Sequence, residues 1–160
     1  MGRILFAILA LIFVNLSANA ETEYSVEGDE FSSGKTHQIM IFTEDTSYAA
    51  LLLACHSGEK LVAQLSTKKT IFPDDLKDQG MKLNVTMKAN EASEAAQTVW
   101  HMNMGDYEKA WLFGEQFQSL LAQMRSGDLL SLKLDKAGKI YRFPISEAQK
   151  HLDKVVTACS

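Results

Sequence analysis

The chain has 160 residues, of which 46% are hydrophobic, and it carries 16 basic against 20 acidic side chains. A normal hydrophobic fraction and a small negative net charge exclude a disordered chain, a coiled-coil rod and a polybasic nucleic-acid binder. Two cysteines and two prolines also exclude a disulfide-dense miniprotein and a CxxC zinc site.

The first twenty residues have the pattern of a secretory signal peptide. Arg3 precedes an apolar run, residues 4–16, and the stretch closes on small residues up to Ala20. This pattern predicts cleavage between Ala20 and Glu21 and a mature protein that is periplasmic or secreted. A retained membrane anchor is the alternative, but the apolar run is shorter than the about 20 residues that a spanning helix needs. We therefore expect no direct membrane insertion after cleavage.

Residues 21–36 form an acidic segment, in which five carboxylates stand against the single basic residue Lys35. The remaining residues, 37–160, are nearly neutral and contain no repeat or linker. We interpret 21–36 as a solvated N-terminal arm and 37–160 as one domain. A neutral body argues against a surface built to capture nucleic acid or an anionic membrane.

Short runs of strand length follow one another through the first half of this body. Residues 37–43 and 48–55 are two such runs, and the second is apolar enough to be buried on both faces. A turn at 57–59 predicts a hairpin with the run 60–66. Residues 81–88 alternate between apolar and polar side chains, as a half-buried antiparallel strand requires.

The second half of the body predicts two further hairpins. One joins residues 96–102 to 107–113, and the other joins 129–134 to 139–143. Gly138 can supply the positive φ that the turn of the last hairpin needs.

Two helices interrupt or end the β pattern. Residues 115–125 carry apolar side chains at helical spacing, and Gly127 stands where a C-terminal cap is expected. The last helix begins at Ser146, which with Gln149 matches a capping box, and its apolar stripe ends in Cys159. The prediction is a mainly β protein, an antiparallel β-sandwich with a short internal helix and a C-terminal helix.

Export makes the two cysteines informative. In an oxidising compartment Cys55 and Cys159 are expected to form a disulfide, which would tether the C-terminal helix to a buried strand. A loop of about 100 residues closed in this way stabilises a fold by up to ~4.7 kcal/mol on the chain-entropy model. A reactive thiol is the alternative, but neither cysteine has a second one within four residues.

The order of these features resembles that of two groups of small exported bacterial proteins, the VasI type, which is associated with type VI secretion, and the invasion-associated locus B type. The resemblance covers residues 48–159 and implies a compact periplasmic β-sandwich with a disulfide-tethered terminal helix. It also implies a role in envelope or secretion biology without known enzymatic chemistry. The segments that carry it are LLLACHSGEKLVAQLS, MKLNVTMK, TVWHMN, AWLFGEQFQSLLAQMRSGDLLSLKL and YRFPISEAQKHLDKVVTAC.

The residues show no pattern of catalysis or metal binding. The four histidines lie on separate predicted elements, without the spacing of a metal site. Asp74 and Asp75 are adjacent carboxylates beside Pro73, and neighbouring residues of a turn normally point apart. GxSxG, P-loop and GxGxxG motifs are missing from the sequence. We expect no enzyme activity, no cofactor and no metal.

Two features suggest binding. Trp100, Tyr107 and Trp111 can form a platform for a sugar or peptide, although core packing is the favoured interpretation. Residues 103–106 and 73–80 form two loops, which we expect at one end of the domain. The candidate partner-binding residues of these loops are Met102, Met104, Asp106, Tyr107, Asp74 and Asp75.

These observations favour an exported, non-catalytic accessory or binding protein of the bacterial envelope, with an envelope or secretion-system protein as its partner. A periplasmic inhibitor of an enzyme such as lysozyme is the alternative. The neutral body counts against an inhibitor, and residues 73–80 are its one candidate inhibitory loop. A hydrolase is a third and more remote hypothesis.

Overall fold

The computed structural model of the protein describes residues 21–28, 34–44, 48–56, 59–69, 71, 81–90, 93–103 and 106–159. The predicted signal peptide, residues 1–20, lies outside these ranges. Nine strands and two helices occur within them. In chain order they are β1 Thr22–Gly28, β2 Lys35–Phe42, β3 Ala50–His56, β4 Val62–Ser66, β5 Lys82–Ala89, β6 Ala96–Asn103, β7 Asp106–Leu112, α1 Gln116–Arg125, β8 Leu129–Leu134, β9 Ile140–Pro144 and α2 Ser146–Ala158.

The described strands form one antiparallel sheet in the order β1-β2-β3-β4-β7-β6-β5-β8-β9. The three predicted hairpins, β3–β4, β6–β7 and β8–β9, are confirmed. The sheet curls, because β9, the strand at one edge, contacts β2, the second strand from the opposite edge. The mainly β class is therefore confirmed. A two-sheet sandwich is not confirmed, since all nine strands belong to a single continuous sheet.

The core fills the inner face of this curled sheet. In β5 the alternation predicted from the sequence places Leu83, Val85 and Met87 inside and leaves Lys82 and Asn84 exposed. Both helices lie on the same inner face, α1 against β5, β6 and β8, and α2 against β1, β2 and β3. Full burial of a side chain such as leucine contributes about 1.5–3 kcal/mol, so the two helical stripes add substantially to stability. Their buried residues are Phe117, Leu120, Leu121, Met124, Ala148, Leu152 and Val155.

The interpretation of residues 21–36 as an arm outside the domain is wrong. Thr22–Gly28 is the edge strand β1, and the predicted boundary at residue 37 falls inside β2. Tyr24 of this strand packs against the core, while Glu23 and Glu27 are exposed. The segment therefore belongs to the sheet, and its exposed carboxylates do not mark an arm outside the domain.

The hydrogen bonds at the start of α2 also differ from the prediction. No side-chain cap bond is present at the start of α2, so Ser146 and Gln149 do not form a capping box. Gln149 Nε2 instead donates to the carbonyl oxygens of Met124 and Gly127, at 2.7 and 2.6 Å. These bonds join the start of α2 to the end of α1, so one glutamine side chain satisfies carbonyls that the end of a helix leaves free.

A disulfide tethers α2 to the sheet, as predicted. Cys55 of β3 is only 4% exposed, and it is bonded to Cys159, which directly follows α2. The two Cα atoms are 5.8 Å apart, and 104 positions separate the residues in the sequence. The bond therefore connects the buried middle of the chain to the last helix.

Candidate functional site

The two ends of the curled sheet differ in what they carry. We call one of them the rim. It comprises the ends of β4, β6 and β8 and the beginnings of β5, β7 and β9, which pair around Ser66, Asn103 and Leu134. Both helices begin after strands that run to the opposite end, which we call the helix end.

The β6–β7 hairpin lies at the rim, and the long connection between β4 and β5 starts and finishes beside it. The amide of Ile71 donates to the carbonyl oxygen of Tyr107, and the amide of Met102 donates to that of Met81, each at 2.8 Å. The described residues on both sides of 72–80 therefore contact the same hairpin. Residues 73–80 themselves lie outside the described residues, so the expectation that this loop and the loop at 103–106 share one end of the domain stays a prediction.

The predicted partner-binding residues separate into three groups. Asp74, Asp75 and Met104 lie outside the described residues, and the side chain of Asp106, the first residue of β7, is not described either. Tyr107 is half-buried at the rim and packs against the core. Tyr107 is thus the described residue of this set that presents side-chain surface at the hairpin.

The prediction that Met102 contacts a partner protein is wrong. Met102 is 5% exposed and belongs to the core cluster, because it lies on the inner face of β6 together with Trp100. An adaptable methionine at this position fills the core instead of meeting a partner.

The two tryptophans have opposite roles. Trp100 is fully buried, and its Nε1 donates to Thr98 Oγ1 at 3.0 Å, so core packing is confirmed for this residue. Trp111 lies on the outer face of β7 and is half-buried beside its cross-strand partner His101. The His101 ring stacks on Phe113 at 4.8 Å between centroids. A platform formed by Trp100, Tyr107 and Trp111 together is therefore excluded, since Trp100 faces the core.

The histidines with described side chains are not brought together. His101 stacks on Phe113 on the outer face, whereas His151 of α2 stacks on Tyr24 at 4.7 Å. The Nδ1 atoms of His37 and His151 are buried and have no hydrogen-bond partner among the described residues. No group of three or more His, Cys, Asp or Glu side chains that can hold a metal ion occurs in the described ranges.

The rim also carries a cleft that the sequence analysis missed. Three lysines and two tyrosines are among the residues that line it, and its volume is about 390 Å³. A cavity of about 360 Å³ adjoins it and shares Tyr48, Thr67 and Lys68. Its lysines are the pair Lys68–Lys69 and Lys139, which are far apart in the chain. The residues that line the first cavity are Tyr48, Thr67, Lys68, Lys69, Lys139, Ile140 and Tyr141.

Comparison with known proteins gives no match to a family model, to a curated protein or to a solved structure. Within the described ranges, neither helix has the length and apolar character needed to cross a membrane.

Proposed function

We propose that this protein is an exported, non-catalytic accessory protein of the bacterial envelope that acts by binding another protein. The Cys55–Cys159 disulfide carries the proposal of export, because such bonds form and persist in oxidising compartments and are rare in the cytosol. The signal-peptide pattern of residues 1–20 supports the same compartment. The resemblance to the VasI and invasion-associated locus B types supports a role in type VI secretion or at the cell surface.

The partner surface that we propose is the rim around the β6–β7 hairpin. Tyr107 is partly exposed there, between the exposed Asn103 and Glu108. Tyrosine is enriched in protein interfaces because its ring supplies contact area at a small cost in side-chain entropy. The hydrogen bonds of Ile71 and Met102 hold this part of the rim in place before a partner arrives.

The compartment is tested by the intact mass of protein recovered from the periplasm of a producing bacterial cell. The expected mass is that of residues 21–160 less two hydrogens, since cleavage follows Ala20 and one disulfide forms. A full-length chain, or two thiols that react with an alkylating reagent in the native protein, contradicts the proposal.

The binding surface is tested with a photo-cross-linking amino acid at position 107, and at Ala122 as a matched control. Ala122 is exposed on α1, away from the rim. We expect a cross-linked envelope protein from position 107 and none from position 122. Excess unmodified protein should abolish the product, whereas the Met104→Ser/Tyr107→Ala variant should compete poorly.

Equal cross-linking from both positions, or equal competition by the variant, would show that the hairpin is not the interface. Cross-linking of a lysozyme at position 107 would replace the accessory role by that of an inhibitor. A thermal midpoint of the variant within a few degrees of the parent serves as the control for folding.

A further inference from the structure

Tyr48 is held in a conformation that an aromatic residue rarely adopts. Its φ is +48°, in the left-handed region, where the side chain of a bulky residue crowds the backbone. Two hydrogen bonds to Thr43 fix the next residue, Ala49. The Thr43 amide donates to the carbonyl oxygen of Ala49 at 3.0 Å, and the Ala49 amide donates to Thr43 Oγ1 at 3.2 Å. The side chain of Tyr48 is nevertheless 62% exposed. A strained conformation that leaves a large aromatic ring exposed is typical of a functional position.

Positive charge gathers around this ring. Lys68 Nζ lies 4.2 Å from the centroid of the Tyr48 ring. Lys69 and Lys139 line the same cavity from two different strand ends. All three lysines are exposed, and within the described part of the chain none of them pairs with a carboxylate. Their mutual repulsion is relieved when an anion binds among them.

The backbone between Lys68 and Lys69 is ordered before any ligand binds. Thr67 Oγ1 donates to the carbonyl oxygen of Lys69 at 2.6 Å, and the Thr67 amide donates to the carbonyl oxygen of Glu108 at 2.9 Å. These bonds fix the positions from which the two lysine side chains leave the chain. Preorganisation of this kind reduces the entropy that binding must spend.

The surface of the adjoining cavity is mainly apolar, although Thr43, Ser66, Thr67 and Lys68 also line it. Phe42, Ala49 and Ala50 line it together with the Tyr48 ring, and it meets the lysine cavity at Tyr48 and Lys68. Each cavity has the volume of a small-molecule site, and an apolar wall with a few convergent charged groups is the usual composition of such sites. A ligand that fills both must be apolar at one end and anionic at the other.

We propose that the rim binds a small amphipathic anion, an alkyl or aryl group that carries one phosphate or carboxylate. The apolar group lies against Phe42 and Ala50, the Tyr48 ring covers the junction, and the anion lies among the three lysines. The proposal is independent of the protein partner, because it concerns the Tyr48 cleft and not the β6–β7 hairpin.

Octyl phosphate, kept below the concentration at which it self-associates, is the probe for this site. Binding is followed by amide chemical shifts in NMR titrations, which report both affinity and location. Octyl glucoside is the neutral control with the same chain, and inorganic phosphate is the control without a chain. We expect octyl phosphate to bind at least about tenfold more tightly than either control, with the largest shifts at Tyr48, Thr67 and Tyr141.

Variants test whether binding depends on the lysines of the cleft and not on the positive charge of the protein as a whole. Replacement of one cleft lysine, Lys68→Ala or Lys139→Ala, should weaken octyl phosphate binding about tenfold, as expected for loss of a charge-assisted contact. Lys60→Ala is the matched control, because Lys60 is exposed before β4 whereas Lys68 is exposed after it. Raising the salt concentration should weaken binding to the parent and to Lys60→Ala alike.

Four outcomes overturn the proposal. Absence of octyl phosphate binding at millimolar concentration removes the site, and shifts confined to the helix end place it elsewhere. Equal binding of octyl glucoside shows that affinity does not depend on the negative charge of the ligand. Equal binding of inorganic phosphate shows that the apolar cavity does not contribute to affinity. The lysines are exposed, so their variants are expected to fold, and an unchanged thermal midpoint confirms it.

Discussion

The helix end and the rim of the curled sheet are built in different ways. At the helix end the disulfide of Cys159 and the hydrogen bonds of Gln149 join α1, α2 and β3 to one another. At the rim Tyr48 and Lys68 are exposed, and the Lys68 ammonium lies over the Tyr48 ring. The helix end is therefore cross-linked by a covalent bond and by side-chain hydrogen bonds, whereas the rim carries the exposed ring and the lysines of the cleft.

The difference shows how this small domain separates stability from recognition. Binding residues need exposed charge and strained backbone, both of which reduce stability. The rim can contain such residues because the disulfide and the two buried helical stripes stabilise the opposite end. Variants at the two ends should therefore behave differently, and the following changes test that expectation.

The largest effect is expected from Cys159→Ala at the helix end. Loss of the disulfide should lower the free energy of unfolding by about 2–5 kcal/mol, because the unfolded chain is no longer constrained. Amide hydrogen exchange should rise first in α2. Urea unfolding and exchange mass spectrometry measure the two effects. If the ends are independent, octyl phosphate should still bind the folded variant, and loss of its binding would break the comparison.

Gly127→Ala should have the next largest effect. An added Cβ would lie 2.7 Å from the side chain of Asn90, which cannot move freely because its Oδ1 accepts from the amides of Asp128 and Leu129. Crowding of this kind costs about 1–3 kcal/mol in urea unfolding. In an Asn90→Gly background the same substitution should cost much less, since the obstacle is gone. Additive effects of the two changes would refute the close approach as the cause.

Tyr48 at the rim is tested by comparing two substitutions. Tyr48→Gly removes both the ring and the strain of φ +48°, whereas Tyr48→Ala removes the ring and keeps the strain. The glycine variant should therefore be more stable than the alanine variant by about 1 kcal/mol, and both should lose octyl phosphate binding.

Gly114 is the matched control for this pair. It lies at the helix end with φ +70°, and an added Cβ there meets nothing within 4 Å. Gly114→Ala should cost about 1 kcal/mol through backbone strain alone and leave binding unchanged. An alanine at position 48 as stable as glycine would show that Tyr48 is not strained.

The smallest effect is expected from Arg125→Ala. Arg125 Nη2 lies 2.8 Å from Asp153 Oδ1 and joins the outer faces of α1 and α2, but the two side chains are 51% and 85% exposed. Solvent and salt screen such a pair, so the change in unfolding free energy should stay below about 0.5 kcal/mol. A loss above 1 kcal/mol would show that this ion pair contributes to the helix end as the disulfide does.

Local sequence patterns predicted most of the individual elements. The alternation of residues 82–89 and the turn at Gly138, whose φ is +65°, specify a strand and a hairpin through neighbouring residues alone. The pairing of Cys55 with Cys159 followed from compartment and from an apolar stripe that ends in cysteine. Strand β1, however, was missed, because its many acidic residues suggested a solvated arm. Glu23 and Glu27 are exposed, but the backbone that carries them pairs with β2.

Long-range geometry was beyond the same reasoning. The single sheet depends on β4 pairing with β7 across two intervening strands, and no local pattern encodes that choice. Curling of the sheet then brings Lys139 to the cavity that Lys68 lines, so the cleft has no contiguous sequence signature. Gln149 matched a capping box because its position was right, but bonding across to α1 satisfied more carbonyl groups.

The disulfide also determines what the chain requires to mature. Two cysteines permit a single intramolecular pairing, so no mispaired isomer has to be reshuffled and an oxidant is sufficient. The partners are 104 positions apart, and synthesis runs from the N-terminus, so the thiol of Cys55 is made well before its partner. During that interval the strand that carries it is without the helix that later covers it. We therefore expect oxidation that acts before Cys159 is available to favour dimers linked through Cys55, and oxidation of the folded, reduced chain to favour the monomer.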